Sequence, residues 1–227
     1  MSSKVQIANL ALQQLGMNPI SALTDNQNPT VRAINHAFDP TRDALFGEHR
    51  WPFATTIGVL AELTTTEVEN DGGFLVEGFL STPFLSVGRT PDPDSLVAGW
   101  LYVYAYPSKA ATVWAVFNEA TAEEKDTQEF DTVFLPGPNK RAIVSNLEEA
   151  YCEYTYKVQD TSIWSSTFIV AFSFRLAAMM AHTLLGDVQK GLKLMEISNA
   201  YVNEAKRVSW SEKVKKPSQV SGYQNCR

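Results

Sequence analysis

The side chains in this 227-residue chain that could hold a metal or move a proton are three histidines, two cysteines and two adjacent carboxylate pairs. His36, His49 and His182 fall in no HExxH-like pattern and are too scattered to suggest a metal centre. His182, on an apolar stretch, is expected to be a satisfied core histidine. Cys152 and Cys226 have no CxxC spacing, so no disulfide framework is expected, which suits a reducing compartment. Glu123/Glu124 and Glu148/Glu149 pair carboxylates, but a glycosidase holds two carboxyls across a cleft, roughly 5–5.5 or 6.5–9.5 Å apart. Neighbours in a charge run do not give that geometry and are expected on solvated faces. There is no glycine-rich phosphate loop and no GxSxG elbow. The expectation is therefore no enzyme, no cofactor and no metal. A cell-wall hydrolase using acidic residues of 119–149 is the runner-up from that class.

Charge is unevenly distributed within the net −6. Residues 1–50 carry four basic and four acidic groups, residues 51–150 five and fifteen, and residues 151–227 ten and six. An acidic middle repels a phosphate backbone. Beyond Trp210 the chain reads SEKVKKPSQVSGYQNCR, basic and without periodicity, and in isolation such a tail is expected to be mobile. Its Lys213, Lys215 and Lys216 lack the interleaved aromatics of a single-strand nucleic-acid platform, and a protein groove suits them at least as well. A nucleic-acid-binding module is the third class, and it requires salt-dependent binding through this tail.

The element that must position everything else is Thr167 to Leu185, where only Ser173, Arg175, His182 and Thr183 interrupt eighteen residues starting at Phe168. A helix apolar all round belongs inside a protein or across a membrane. Arg175 near its middle argues against a span, since a charge at bilayer centre costs roughly 2.5–3.5 kcal/mol. Arg175 is expected to pair with a buried carboxylate or to reach another subunit. Ser165, Ser166 and Thr167 are candidate caps, and Gly186 is the stop.

Around this helix the chain predicts others. Lys4 to Leu15 is amphipathic and ends at Gly16, and no signal peptide is expected ahead of it. A second helix starts at Pro29 behind Asn28, and Asp39-Pro40 is expected to interrupt it, by a kink or a restart. Trp51-Pro52-Phe53 marks a boundary, with both aromatics as anchors. From Thr55 to Val158 the text turns to strands and turns. Leu101–Tyr106 reads as a central strand, with Thr112–Phe117 as its partner. In Tyr151–Val158, Cys152, Tyr154, Tyr156 and Val158 are expected to face in, and Tyr151, Glu153, Thr155 and Lys157 out. Asp187 caps a last helix to about Trp210, with Leu194, Ile197, Tyr201, Ala205 and Val208 as its stripe.

Three stretches in this order resemble the head-to-tail adaptors of tailed phages, the tail tubular protein A type of short-tailed phages. They are IANLALQQLGMNPISALTDNQNPTVRAINHAFDPTRDALFGEHRWPFA at the start, YVYAYP in the middle and FIVAFSFRLAAMMAHTLLGD with the following helix at the end. Together they cover roughly half the chain; residues 60–100 and 118–140 have no counterpart. The resemblance implies an α+β subunit: a bundle of N- and C-terminal helices (1–53 and 164–210), an inserted β-rich part (54–163) and a flexible basic tail (211–227). It implies a virion protein at the head-tail junction, assembled in the host cytoplasm. Twelve copies would form a ring that docks on the portal protein, carries the tail or nozzle protein and lets double-stranded DNA pass without specific binding or any membrane. Trp210, Lys213, Lys215, Lys216 and Tyr223 are the portal-docking candidates. A head-completion or tail-terminator subunit of a long-tailed phage is the alternative within the same class.

Overall fold

A computed structural model describes residues 3–63, 100–119, 127–135 and 140–211. The fold is mixed α+β, and the chain divides into two compact units. Among the described residues, one unit takes 3–42, 51–53 and 160–211, and the other takes 43–50 and the described part of 54–159.

The first unit is built from helices whose ends are written locally. Helix α1 (Lys4–Leu15) starts in a capping box: Gln6 N–H donates to Ser3 Oγ at 3.2 Å, and Ser3 N–H to Gln6 Oε1 at 2.8 Å. It ends where Gly16 takes the left-handed conformation at φ 72°. Asn9 holds the following loop against α1, accepting from Ile20 N–H at 2.8 Å and donating to its carbonyl at 3.0 Å. Helix α2 (Pro29–Gly47) is capped by Asn28, whose Oδ1 accepts from Thr30 N–H at 2.9 Å.

The restart expected at Asp39-Pro40 does not occur: α2 runs from Pro29 to Gly47 as one helix with Pro40 inside it. A proline in a helix interior costs about 3 kcal/mol. Burial on both sides outweighs that cost: Phe38, Thr41, Arg42, Leu45 and Phe46 are all inside. Asp39 does not cap a new helix; it pairs with Arg42 at 3.1 Å and Lys4 at 3.6 Å, and the Lys4 ammonium lies 4.4 Å above the Phe38 ring.

Helix α3 (Ser166–Leu185) begins at Ser165, whose Oγ accepts from Phe168 N–H, and ends at Gly186 with φ 66°. Its first half carries the aromatic core. Phe168 meets Trp51, Phe53 and Trp164 edge-on at 4.8, 5.1 and 5.2 Å, while Phe172 meets Phe38 at 4.9 Å. Helix α4 (Val188–Ser211) follows with Asp187 as cap, accepting from Lys190 N–H at 2.9 Å. A Cβ at Gly191 would stand 3.3 Å from the Ala178 carbonyl, so the two helices approach closely here.

The α4 stripe differs from expectation. Leu194, Ser198, Val202, Ala205 and Ser209 are buried, whereas Ile197 and Tyr201 are 41% and 42% exposed. Ser198, small enough to admit the α3 backbone, takes the inward position where Ile197 would hold the helices apart. Ser198 Oγ donates to the Ala171 carbonyl across the gap at 3.2 Å.

Among the described residues the second unit holds six strands: β1 (Thr55–Val59), β2 (Tyr102–Ala105), β3 (Ala110–Phe117), β4 (Phe130–Leu135), β5 (Lys140–Ser145) and β6 (Tyr151–Tyr156). They pair antiparallel in two sheets, β1-β6-β3 and β2-β5-β4. The sheets join at both edges. Ala61–Leu63, just past β1, bonds to β2 through Leu63 N–H to Val103 and Ala105 N–H to Ala61, and Gln128, just before β4, bridges to Val116 of β3. Tyr104, Ile143, Val116 and Cys152 form the core between the sheets, and the Tyr104 hydroxyl donates to the Leu147 carbonyl.

Two strand expectations are corrected. β3 does not pair with β2; it lies beside β6, and β2 lies beside β5. The connection through Pro107 carries the chain from one sheet to the other, and a short connection alone does not oblige a hairpin. Thr155 does not face out; it is fully buried and accepts from Trp114 Nε1 at 2.7 Å. β6 is the central strand of its sheet, and residues 43–50 cover its second face, with Lys157–Asp43 and Arg50–Glu153 ion pairs at 3.2 and 3.4 Å. Cys152 faces in as expected, and burial pushes its thiol up to about 12.

Candidate interaction surface

The residues that could have done chemistry do not converge. His36 and His182 are exposed and His49 is half-buried, so His182 is no core histidine; it sits exposed in the last turn of α3. Among the described residues, no group of three His, Cys, Asp or Glu side chains could hold a metal ion. Glu148 and Glu149 are exposed in the turn between β5 and β6, and Glu123 and Glu124 lie outside the described residues.

Arg175 donates to Ser198 Oγ at 3.3 Å and Asn199 Oδ1 at 3.0 Å, so it ties α3 to α4 through neutral groups. By length and composition α3 could cross a membrane, but half of its most apolar window is buried against the rest of the unit. That fits a core helix with one side uncovered.

The uncovered apolar surface is the helical unit's most distinctive exterior feature. Tyr201 stacks on Phe174 at 5.0 Å, and Ile197 precedes Tyr201 by one turn. Val170 and Tyr201 line a small hollow of about 220 Å³ with Ser166, Thr167 and Glu204. Glu204 is bonded by Arg207 at 2.7 and 3.0 Å, which holds its carboxyl below the usual range. Elsewhere on the unit, Met179, 53% exposed, lines an open hollow of about 640 Å³ in which apolar Ala33, Ala37 and Leu184 alternate with polar Arg32, His36 and Thr183. Isolated exposed apolar residues are ordinary, but a stacked pair beside a hollow and a second hollow elsewhere are what association surfaces look like.

Of the portal-docking candidates, Trp210 is 71% exposed in the last turn of α4, and Lys213, Lys215, Lys216 and Tyr223 lie outside the described residues. The exposed positions of α4 were missed because Ile197 and Tyr201 have the types and spacing of core residues. The one signal against them was Ser198 and Ala205, small residues at the spacing of a close helix contact.

No protein-family model matches this chain, and no curated protein is significantly similar to it in sequence.

Proposed function

We propose that this chain is a structural virion protein, the subunit of a head-to-tail adaptor ring. Copies associate side by side, dock on the portal protein, extend the DNA channel and offer the attachment platform for a tail or nozzle protein. The observation that carries the proposal is the apolar exterior of the helical unit. Ile197, Tyr201 and Phe174 on one surface, and the hollow beside Met179 on another, suit contacts between unlike patches of neighbouring copies. Contacts of that kind repeat around a closed ring, and about twelve copies are proposed. Helices from both chain ends meeting around α3 support the arrangement as a terminal bundle with a β-rich insertion.

In this function the acidic middle keeps double-stranded DNA from sticking to the channel. The basic segment after Trp210, with Lys213, Lys215, Lys216 and Tyr223, docks on the portal. The subunit turns over no substrate and acts in the virion at the head-tail junction. Deleting residues 212–227 tests the docking role: the shortened protein keeps its circular dichroism spectrum and loses binding to portal-bearing capsids. Undiminished binding overturns the docking role.

A further inference from the structure

The six strands sort the charges of their unit onto opposite ends. At one end β2 finishes, β3 begins, β5 begins and β6 finishes. Tyr106 N–H bonds to the Arg141 carbonyl there, and Lys157 N–H bonds to that of Lys109. Lys109, Lys140, Arg141 and Lys157 gather at this end. Aromatic faces support two of them: the Arg141 guanidinium lies 4.0 Å over the Tyr106 ring, and the Lys109 ammonium 5.7 Å from that of Tyr156. Asp43 also reaches this end, but Lys157 neutralises it. At the other end β3 and β5 finish and β4 and β6 begin, bringing exposed Glu119, Glu129, Asp131, Glu148 and Glu149 together. The described stretches 117–119, 127–131 and 145–150 contain no lysine or arginine.

Each end also carries bare apolar surface: Phe134, 57% exposed, near the basic end, and Val59, 72% exposed, near the acidic one. A nucleic-acid strand would use the cations but would meet the five carboxylates farther along the same unit. A second copy uses both charges and both apolar residues.

We propose that the strand-rich units of neighbouring copies meet end to end, the basic end of one against the acidic end of the next. This rests on the chain being a self-associating subunit and names a surface for that association. Rim charges of this kind set register and encounter rate, so the contact is salt-sensitive. Because the two ends differ, the contact is directional and repeats from copy to copy.

The test is a charge swap. One variant carries Lys109→Glu and Arg141→Glu, the other Glu148→Lys and Glu149→Lys, all at exposed positions, with circular dichroism checking the fold. In sedimentation at low salt, wild type self-associates, each variant alone associates about tenfold or more weakly, and an equal mixture recovers, because acidic and basic ends face each other again. The inference is overturned by a wild type that stays monomeric across the concentration range, by variants that associate like wild type, or by a mixture that does not recover. Retention of labelled duplex DNA by wild type, lost with Lys109→Glu and Arg141→Glu while association is unchanged, overturns it in favour of nucleic acid. Rings formed on portal-bearing capsids by the variants as by wild type would sink this inference alone, whereas no ring from wild type would sink the adaptor function.

Discussion

In the helical unit, six helix ends are decided within a few residues of themselves: Ser3 and Gly16 bound α1, Asn28 opens α2, Ser165 and Gly186 bound α3, and Asp187 opens α4. In the strand-rich unit, β1 finds its partner a hundred residues away, Thr55 opposite Thr155, and β2 pairs across β3 and β4 with β5. The first kind of information sits in a short window of sequence and the second does not. That difference also predicts how each unit fails: the helical one by losing core volume or a cap, the strand-rich one by losing a cross-strand partner.

The largest effect is expected where one side chain serves many neighbours. Phe168→Ala removes a ring in contact with Trp51, Phe53 and Trp164 and should cost about 3–5 kcal/mol in chemical denaturation. A loss below about 1 kcal/mol would mean that the aromatic cluster is not the centre of its unit. In the other unit, Thr155→Val keeps the shape but leaves the Trp114 Nε1–H without its acceptor, costing about 1–3 kcal/mol. Little change there would show that the burial of β6 matters more than its polar partner.

The thiol gives a pH-dependent comparison. Cys152 has its folded pKa raised from 9.0 to about 12, so its stabilising share is complete below pH 9 and is lost as pH rises toward 12. The unfolded chain ionises first, and the slope approaches about 1.4 kcal/mol per pH unit in that window. Melts of wild type and Cys152→Ala between pH 8 and 11 should diverge in slope, and parallel curves would contradict a buried neutral thiol. Ser165→Ala should cost about 1 kcal/mol, read by thermal melting, through the N-cap of α3 alone. Ile197→Ser with Tyr201→Ser, at partly exposed positions, should cost the fold about 0.5–1.5 kcal/mol through the lost stack of Tyr201 on Phe174. The same pair should abolish association between copies, and this separates an interface from a core.

How far the sequence could be read follows the same divide. The bounds of α1 and α3, the Asn28 and Asp187 caps and the inward side of Cys152 were legible because period and capping chemistry act locally. The continuity of α2 through Pro40 was not, because it depends on Phe38 being buried against Trp164 and Phe172, far away in the chain. The β2–β3 pairing was mistaken because a short connection looks like a hairpin until the real partners are known. Thr155 was turned the wrong way because residues 43–50, over a hundred positions earlier, cover the face that alternation assigns to water. On the candidate surface, apolar type alone could not tell Ile197 from Val202; only packing against α3 separates them. The acidic excess of residues 51–150 was visible as composition, but the division of charge between the two ends of the strand-rich unit was not, since strand order decides which end each residue reaches.

The adaptor function is tested most directly by imaging portal-bearing capsids mixed with the purified full chain. A ring of about twelve copies should cover the portal vertex, wide enough at its centre to pass duplex DNA. Bare vertices at saturating protein, with the chain left wholly in the unbound fraction, would contradict the proposed function at its root.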